Sequence, residues 1–178
     1  MATDDPTGAP GSEPAARPAA TGKTGVPSET RNKPERPRDR LGRPLDWDAE
    51  NELELEDYDA LTVEENHELG RRHVRAGRYF PAHEAWETAW KQARGTGDEE
   101  FYKGLSQMGA GYVHAQRGNA HGAKTLLRRA AGRIGRYPDP HLGIATGRLT
   151  ARLEADAELV EREAFGLGED ATFEPPDV

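Results

Sequence analysis

Two side chains that can bind metal lie one helical turn apart near the middle of the chain. They are His83 and Glu87, and the residues around them are mostly alanine and tryptophan. At about a hundred degrees per residue, both fall on the same side of a helix as Trp86. A carboxylate on that apolar side is costly to bury unless it is paired, protonated or bound to a cation. An imidazole and a carboxylate at this spacing can hold one divalent metal ion.

The rest of this helix is predicted to have one apolar face and one wet face. The apolar face is formed by Ala82, Trp86, Ala89, Trp90 and Ala93, and the wet face by Glu84, Thr88, Lys91 and Gln92. The two tryptophans are better explained as core residues than as a ligand platform. Glu84 is predicted on the wet face and is therefore a poor candidate for a metal ligand. If the helix is rotated relative to this predicted orientation, Glu84 could act as a general base at the edge of the site.

A second helix carries the side chains that are expected to complete the site. Gln107 and His114 lie two turns apart at the border of its apolar stripe. If the two helices pack face to face, two imidazoles, a carboxylate and an amide meet inside a bundle, which is a common place for metal sites. The predicted metal ligands are His83, Glu87 and His114. Gln107 is expected to orient a bound water. The residues expected near the bound ligand are Trp86, Trp90 and Glu84.

The same helix contains three glycines, at Gly104, Gly109 and Gly111. Each glycine in a helix is unfavourable by about 1 kcal/mol relative to alanine. Their presence therefore indicates close approach to a neighbouring helix.

The candidate residues also have a purely structural interpretation. His83 can hydrogen-bond to Glu87 or to a backbone carbonyl, and His114 suits the negative end of a helix dipole. In that case the polar cluster fixes the register of two packed helices and binds nothing. A faint internal repeat of 41 residues, in which Gly70 recurs as Gly111, favours paired helical hairpins of the kind that act as interaction scaffolds.

Composition indicates one soluble domain with tails. A chain of 178 residues suggests a single domain, and the absence of cysteine excludes disulfides and thiolate metal sites. No apolar run approaches the roughly 20 residues that cross a bilayer. The N-terminus lacks the apolar stretch of a secretory signal, so we expect a cytoplasmic protein.

The net charge of −8 hides a segregation of charge along the chain. Residues 67–136 carry thirteen basic and six acidic side chains, whereas 41–66 and 137–178 are strongly acidic. A basic core can bind nucleic acid. No aromatic and basic recognition module accompanies this charge, so nucleic acid is not the expected partner. The expected partner is a small molecule or a protein, and self-association through the last helix is one route to an oligomer.

Hydrophobic periodicity predicts an all-α, compact antiparallel bundle of about five helices. Residues 1–40 are too poor in apolar side chains to fold and are predicted to be disordered. An acidic arm at 41–61, a helical bundle at 62–163 and a frayed tail at 164–178 are expected to follow. The helices are predicted from Thr62 to Ala76, Tyr79 to Arg94, Asp98 to Gly118, Asn119 to Arg136 and Leu142 to Arg162, with a capping box of Thr62 and Glu65 at the first.

Two blocks of the sequence resemble a known family. The first block runs from Gly77 to Trp90, and the second contains the runs Tyr102 to Gln107, His114 to Asn119 and Gly122 to Ala123. Over about residues 63–137 they resemble domain-of-unknown-function family 309, a family of compact helical bundles with no established activity. Its His-x-x-x-Glu-x-x-Trp motif is thought to bind metal.

The resemblance implies a motif of His83, Glu87 and Trp90, with Gln107 and His114 in the second block. Pro81 departs from the family pattern, where a charged residue is common. We therefore expect a divalent-metal or small-ligand site at the two facing helices, with an interaction scaffold as the alternative. Whether the protein is an enzyme stays open.

Overall fold

The structure is a computed structural model that describes residues 36–163, 165–169, 171 and 173–178. Within this part the chain forms five α-helices and a short 3-10 turn, and it forms no β-strand. The helices are α1 (Val63–Arg75), α2 (Tyr79–Gln92), α3 (Glu99–Gln116), α4 (Ala120–Ile134) and α5 (Thr146–Glu161). The predicted all-α class is confirmed, while residues 1–35 of the predicted disordered tail lie outside the described residues.

Short-range polar contacts set the helix ends. The Thr62 hydroxyl accepts from the backbone N–H of Glu65 at 3.2 Å, and the Glu65 carboxylate accepts from the N–H of Thr62 at 2.8 Å. This confirms the predicted capping box at the start of α1. The Asn119 side chain accepts from the N–H of Gly122 at 2.9 Å and begins α4. Gly77 ends α1 with a φ of 70°, a conformation that glycine adopts without strain.

Each helix packs against the next one in the chain, so α2, α3 and α4 each have a helix on two sides. The short connections 76–78, 93–98 and 117–119 favour an antiparallel arrangement of the helices that they join. No helix among the described residues has the length and apolar content to cross a membrane. The largest fully buried side chains are Trp86, Tyr112, Phe101, Leu105, Met108 and Leu127.

Two glycines allow the central helices to approach closely. A Cβ atom at Gly109 would lie 3.0 Å from the backbone N and Cα of His83, so α3 touches the backbone of α2 there. A Cβ atom at Gly70 would lie 2.5 Å from the ring of Trp86, so α1 presses on α2 from another side. The expectation that glycines in α3 mark close helix approach is confirmed.

The segment before α1 packs on the bundle in an irregular conformation. Leu41 and Leu53 are buried. The guanidinium of Arg117, the residue that follows α3, donates from Nε to the Leu41 carbonyl at 3.1 Å. Arg38 forms an isolated backbone bridge with Pro44. These contacts hold the acidic segment against the beginning of α2 and the end of α3.

The residues after α5 also contact the core, at positions where a frayed tail is predicted. Phe173 stacks with Tyr79 and Tyr112, with 5.3 Å between ring centroids in each pair. Phe165 is buried as well and lies 5.0 Å from the ring of Phe173. The rings that Phe173 contacts come from two different helices, Tyr79 from α2 and Tyr112 from α3. The sequence of the last residues alone therefore does not predict this contact.

Candidate metal centre

The imidazole of His83 is held by the neighbouring helix. Its Nδ1 atom lies 3.0 Å from the backbone carbonyl oxygen of Ser106 and 2.9 Å from the Ser106 hydroxyl. A carbonyl oxygen can only accept a hydrogen bond, so Nδ1 carries the proton. This leaves Nε2 of the neutral ring with a free lone pair. Metal-binding histidines are commonly oriented in this way by a carbonyl behind the ring.

Two carboxylates face the Nε2 atom. It lies 3.4 Å from an oxygen of Glu87 and 3.8 Å from an oxygen of Glu84. Two ligands about 2.1 Å from an ion in tetrahedral geometry are about 3.4 Å apart, so these separations suit a single ion. Each residue offers one ligand atom within 4.8 Å of the others, and this is the one such group of three among the described residues.

The group lies on a narrow exposed strip of α2. Because α2 packs against both α1 and α3, most of its circumference is covered. The side chains of His83, Glu84 and Glu87 remain 24%, 33% and 30% exposed. Thr88, which is predicted on the wet face, is buried. The prediction assumed that α2 has one buried face. Contact with both α1 and α3 buries Thr88 and leaves Glu84 on the same exposed strip as His83 and Glu87, so Glu84 joins the group.

The pKa values of the two carboxylates are shifted in opposite directions. Partial burial raises the pKa of Glu84, and the adjacent charge of Glu87 adds to this, although His83 opposes it. Burial also raises the pKa of Glu87, but the hydrogen bond from Lys91 and the charge of His83 outweigh it, so the pKa is lowered. Lys91 lies 2.8 Å from Glu87. A positive charge placed between these two partly buried carboxylates would stabilise the ionised form of both.

The predicted ligand His114 lies outside this group. Its Nδ1 atom accepts a hydrogen bond from the Asn119 amide at 2.8 Å, at the turn between α3 and α4. Burial, assisted by the charge of Arg117, lowers the pKa of His114. Gln107 faces α4 instead, where it accepts from Arg133 Nε at 3.1 Å. The face of α3 that meets His83 is thus one residue away from the predicted one, and it carries Ser106.

The two tryptophans of the motif have different environments. Trp86 is fully buried against Gly70, which agrees with a core residue. Trp90 is partly buried, and the ammonium of Lys103 lies 4.9 Å from its ring centroid. An indole N–H is a hydrogen-bond donor only, so neither tryptophan can act as a metal ligand. Trp90 and Lys103 join α2 to α3 one turn beyond Glu87 through a cation–π contact.

Ser106 is a site residue that the sequence reading missed. It is buried and lies three residues before Gly109 on the same face of α3. A small polar residue spaced in this way from a glycine indicates the face that approaches a neighbour most closely. That spacing is a usable signal for locating the partner of His83.

Comparison with known proteins supports the family resemblance. A family model described as Domain of unknown function (DUF309) matches residues 68–126, a segment that contains His83, Glu84, Glu87 and Ser106. A search of curated proteins and a search of solved structures returned no significant match. The family match covers about a third of the chain and contains the candidate site.

Proposed function

We propose that this small helical-bundle protein, whose residues 68–126 match the family model described as Domain of unknown function (DUF309), binds one divalent metal ion. The ligands in this proposal are His83, Glu84 and Glu87. One observation carries it: the Nδ1 contact with Ser106 turns the Nε2 lone pair toward two carboxylates. A lone pair beside two anionic groups is repulsive unless a proton or a metal ion lies between them.

A mixed set of one nitrogen and two carboxylate oxygens suits several divalent ions. Imidazole favours Zn²⁺ and other late transition metals, while carboxylates also accept Mn²⁺ and Mg²⁺. Three protein ligands leave at least one coordination position for water or an exogenous ligand. The side chains are about a quarter to a third exposed, so the ion would be reached from solvent.

A proton is the natural competitor of the metal. If His83 takes up a second proton at Nε2, the resulting imidazolium pairs with both acids and no ion is needed. Metal affinity is therefore expected to fall as the pH is lowered, because the ligands must be deprotonated to bind. Lys91 competes as well, since it already pairs with Glu87 at 2.8 Å.

The test combines metal content with thermal stability. We expect protein purified without chelator to contain close to one equivalent of a divalent metal, and added Zn²⁺ or Mn²⁺ to raise the Tm. An ion at a hundred times its Kd stabilises the folded state by about 2.7 kcal/mol. His83→Ala should lose both effects. The matched control is His121→Ala, because His121 is exposed and lies outside the group.

A structural role is the second candidate, and the Ser106 contact favours it as well. His83 joins α2 to α3 next to the tight approach at Gly109. In this case His83→Ala lowers the Tm of metal-free protein, and neither the wild type nor the variant responds to metal. That result, with metal content near zero in both proteins, overturns the metal proposal and leaves a helical scaffold.

A further inference from the structure

The segment before α1 brings a guanidinium beside the candidate metal centre. The Cζ atom of Arg38 lies 5.9 Å from the ring centroid of Phe80, and the same ring stands edge-on to His83 with 6.2 Å between centroids. Nη1 of Arg38 donates to the carbonyl of Gly42 at 2.8 Å. Arg38 forms no ion pair among the described residues, and its Nε and Nη2 atoms are not sealed from solvent. Two of its donor atoms therefore stay open to a ligand.

A tight turn in this segment holds a second guanidinium next to the first. Arg117 donates from Nε and Nη2 to the carbonyl of Leu41. That carbonyl is adjacent in the chain to the Gly42 carbonyl, which accepts from Arg38. A Cβ atom at Gly42 would lie 2.2 Å from the ring of Phe80, so the turn lies directly on α2. The turn thus places both arginines at the end of α2 that carries the candidate metal centre.

The acid of this turn does not neutralise Arg117. The Asp39 carboxylate accepts from the backbone N–H groups of Leu41 at 2.9 Å and Arg43 at 2.8 Å, and it pairs with the Arg43 guanidinium. Within the part of the chain that the structure describes, Arg117 has no ion-pair partner, and its Nη1 is open to solvent. Burial lowers the pKa of Arg117, and the charges of Arg43 and Arg38 lower it further. Asp39 opposes this effect only in part.

His114 adds another free donor at this end of α3. The Asn119 oxygen accepts from the N–H of Gly122, so the Asn119 amide nitrogen is the atom that donates to His114 Nδ1. The neutral ring therefore carries its proton on Nε2, which is open to solvent and makes no hydrogen bond to a described residue. Burial lowers the pKa of His114, and the charges of Arg117 and then His83 add to this. His114 thus lies within electrostatic range of both residues.

These donors border the candidate metal centre. Burial raises the pKa of Glu84, and the charges of His83 and Arg38 oppose the rise. Arg38 therefore acts on a carboxylate that lies 3.8 Å from Nε2 of His83. Electrostatic interactions close a ring that runs from His83 through His114, Arg117 and Arg38 to Glu84. Three protein ligands would leave the ion at least one open coordination position inside this ring.

We propose that the centre binds a phosphate group, with one oxygen on the metal ion and the others accepting hydrogen bonds from Arg38, Arg117 and His114. This inference rests on the metal binding proposed above. A carboxylate has two oxygens in one plane, whereas a phosphoryl group has three acceptor oxygens that point in different directions and can serve separate donors. A phosphate also carries about 1.5 to 2 negative charges at pH 7, which balance the two guanidinium groups.

Calorimetric titration of inorganic phosphate into full-length protein loaded with one equivalent of Mn²⁺ tests the proposal. We expect saturable binding at one site, after subtraction of the heat of Mn²⁺ and phosphate without protein. Metal-free protein should bind phosphate at least about tenfold more weakly, because Glu84 and Glu87 then repel it. A second arm uses phenyl phosphate. Tighter binding of phenyl phosphate identifies a phosphorylated molecule as the ligand, and tighter binding of inorganic phosphate identifies the free ion.

Variants separate the anion from the metal. Arg38→Gln should weaken phosphate binding about tenfold, because it removes a charge-assisted hydrogen bond, and it should not weaken Mn²⁺ binding. Arg38→Lys keeps the charge and should recover part of the affinity. His114→Ala should weaken phosphate binding by a smaller factor, since its donor is neutral. The matched control is Arg40→Gln, because Arg40 is exposed and forms no ion pair with a described residue.

Failure of this proposal differs from failure of the metal proposal. Protein that binds Mn²⁺ but not phosphate overturns the phosphate site and leaves the metal centre. Equal phosphate affinities in the wild type and Arg38→Gln overturn it as well. If no Mn²⁺ binds, the metal proposal falls, and titration of metal-free protein decides the rest. Phosphate binding that is lost in Arg38→Gln then retains the arginine site, and no binding removes it.

Discussion

Gly109 of α3 lies directly against the backbone of His83 of α2. A Cβ atom at Gly109 would lie 3.0 Å from the N and Cα atoms of His83, which is tighter than nine in ten real Cβ contacts, so the backbone of α2 would have to move by a few tenths of an ångström. One turn earlier on the same face, Ser106 holds the His83 ring. The orientation of the candidate metal ligand therefore depends on a position where the neighbouring helix has no side chain.

Substitution Gly109→Ala should push α2 and α3 apart. The added methyl group meets backbone atoms that cannot rotate away, and overpacking of this kind costs about 1–3 kcal/mol. Urea unfolding measures the loss. Gly132→Ala in α4 is the control, because nothing lies within 4 Å of its added Cβ. That variant should gain about 0.5–1 kcal/mol from helix propensity, and a similar gain in Gly109→Ala would contradict the close approach.

Glu84 and His114 provide a direct contrast for the third ligand. Glu84 lies 3.8 Å from His83 Nε2, whereas the Nδ1 atom of His114 is occupied by Asn119. In metal titrations by calorimetry, Glu84→Gln should weaken binding by at least about tenfold, because it removes a charged ligand. His114→Ala should leave the affinity close to that of the wild type. The opposite order would restore the ligand set read from the sequence.

His73 makes stability sensitive to mild acid. The side chain is fully buried, with Nε2 3.4 Å from a Glu56 oxygen. Burial lowers the pKa of His73 below its ordinary value of 6.5, and the attraction of Glu56 only partly offsets this. The unfolded chain therefore binds the proton more readily than the folded one. Stability contributed by neutral His73 is present above pH 6.5 and is lost as the pH falls below it.

Unfolding free energies measured by urea from neutral pH down to about pH 5 test this linkage. The wild type should lose stability on acidification, and His73→Phe should lose less over the same interval. Burial also lowers the pKa of His67, so part of the slope remains in the variant. His121→Gln is the exposed control and should keep the wild-type slope. A slope unchanged by His73→Phe contradicts the assignment.

Phe173 should stabilise the bundle although it lies beyond the last helix. Its ring stacks on Tyr79 and Tyr112. Removing a partly buried aromatic ring in Phe173→Ala is expected to cost about 2–3 kcal/mol. Trp47→Ala is the control, because Trp47 is 64% exposed and its loss should change stability by less than about 0.5 kcal/mol. Thermal unfolding of both variants compares them, and equal Tm values would agree with a frayed end.

The sequence by itself determined the features that depend on neighbours along the chain. The capping box of Thr62 and Glu65, the end of α1 at Gly77 and the all-α class follow from local spacing and backbone preference. The pairing of His83 with Glu87 follows for the same reason, since residues four apart meet on any helix. The glycines of α3 also indicated a close contact, although not its partner.

Only the tertiary structure decided which side chains meet across helices. A shift of one residue on α3 replaces Gln107 with Ser106 as the neighbour of His83, because adjacent residues point about 100° apart. Burial of α2 on two sides, and not one, brings Glu84 into the metal group and leaves His114 at its own helix end. These outcomes depend on how helices rotate against one another to fill the core, which a hydrophobic pattern specifies only broadly.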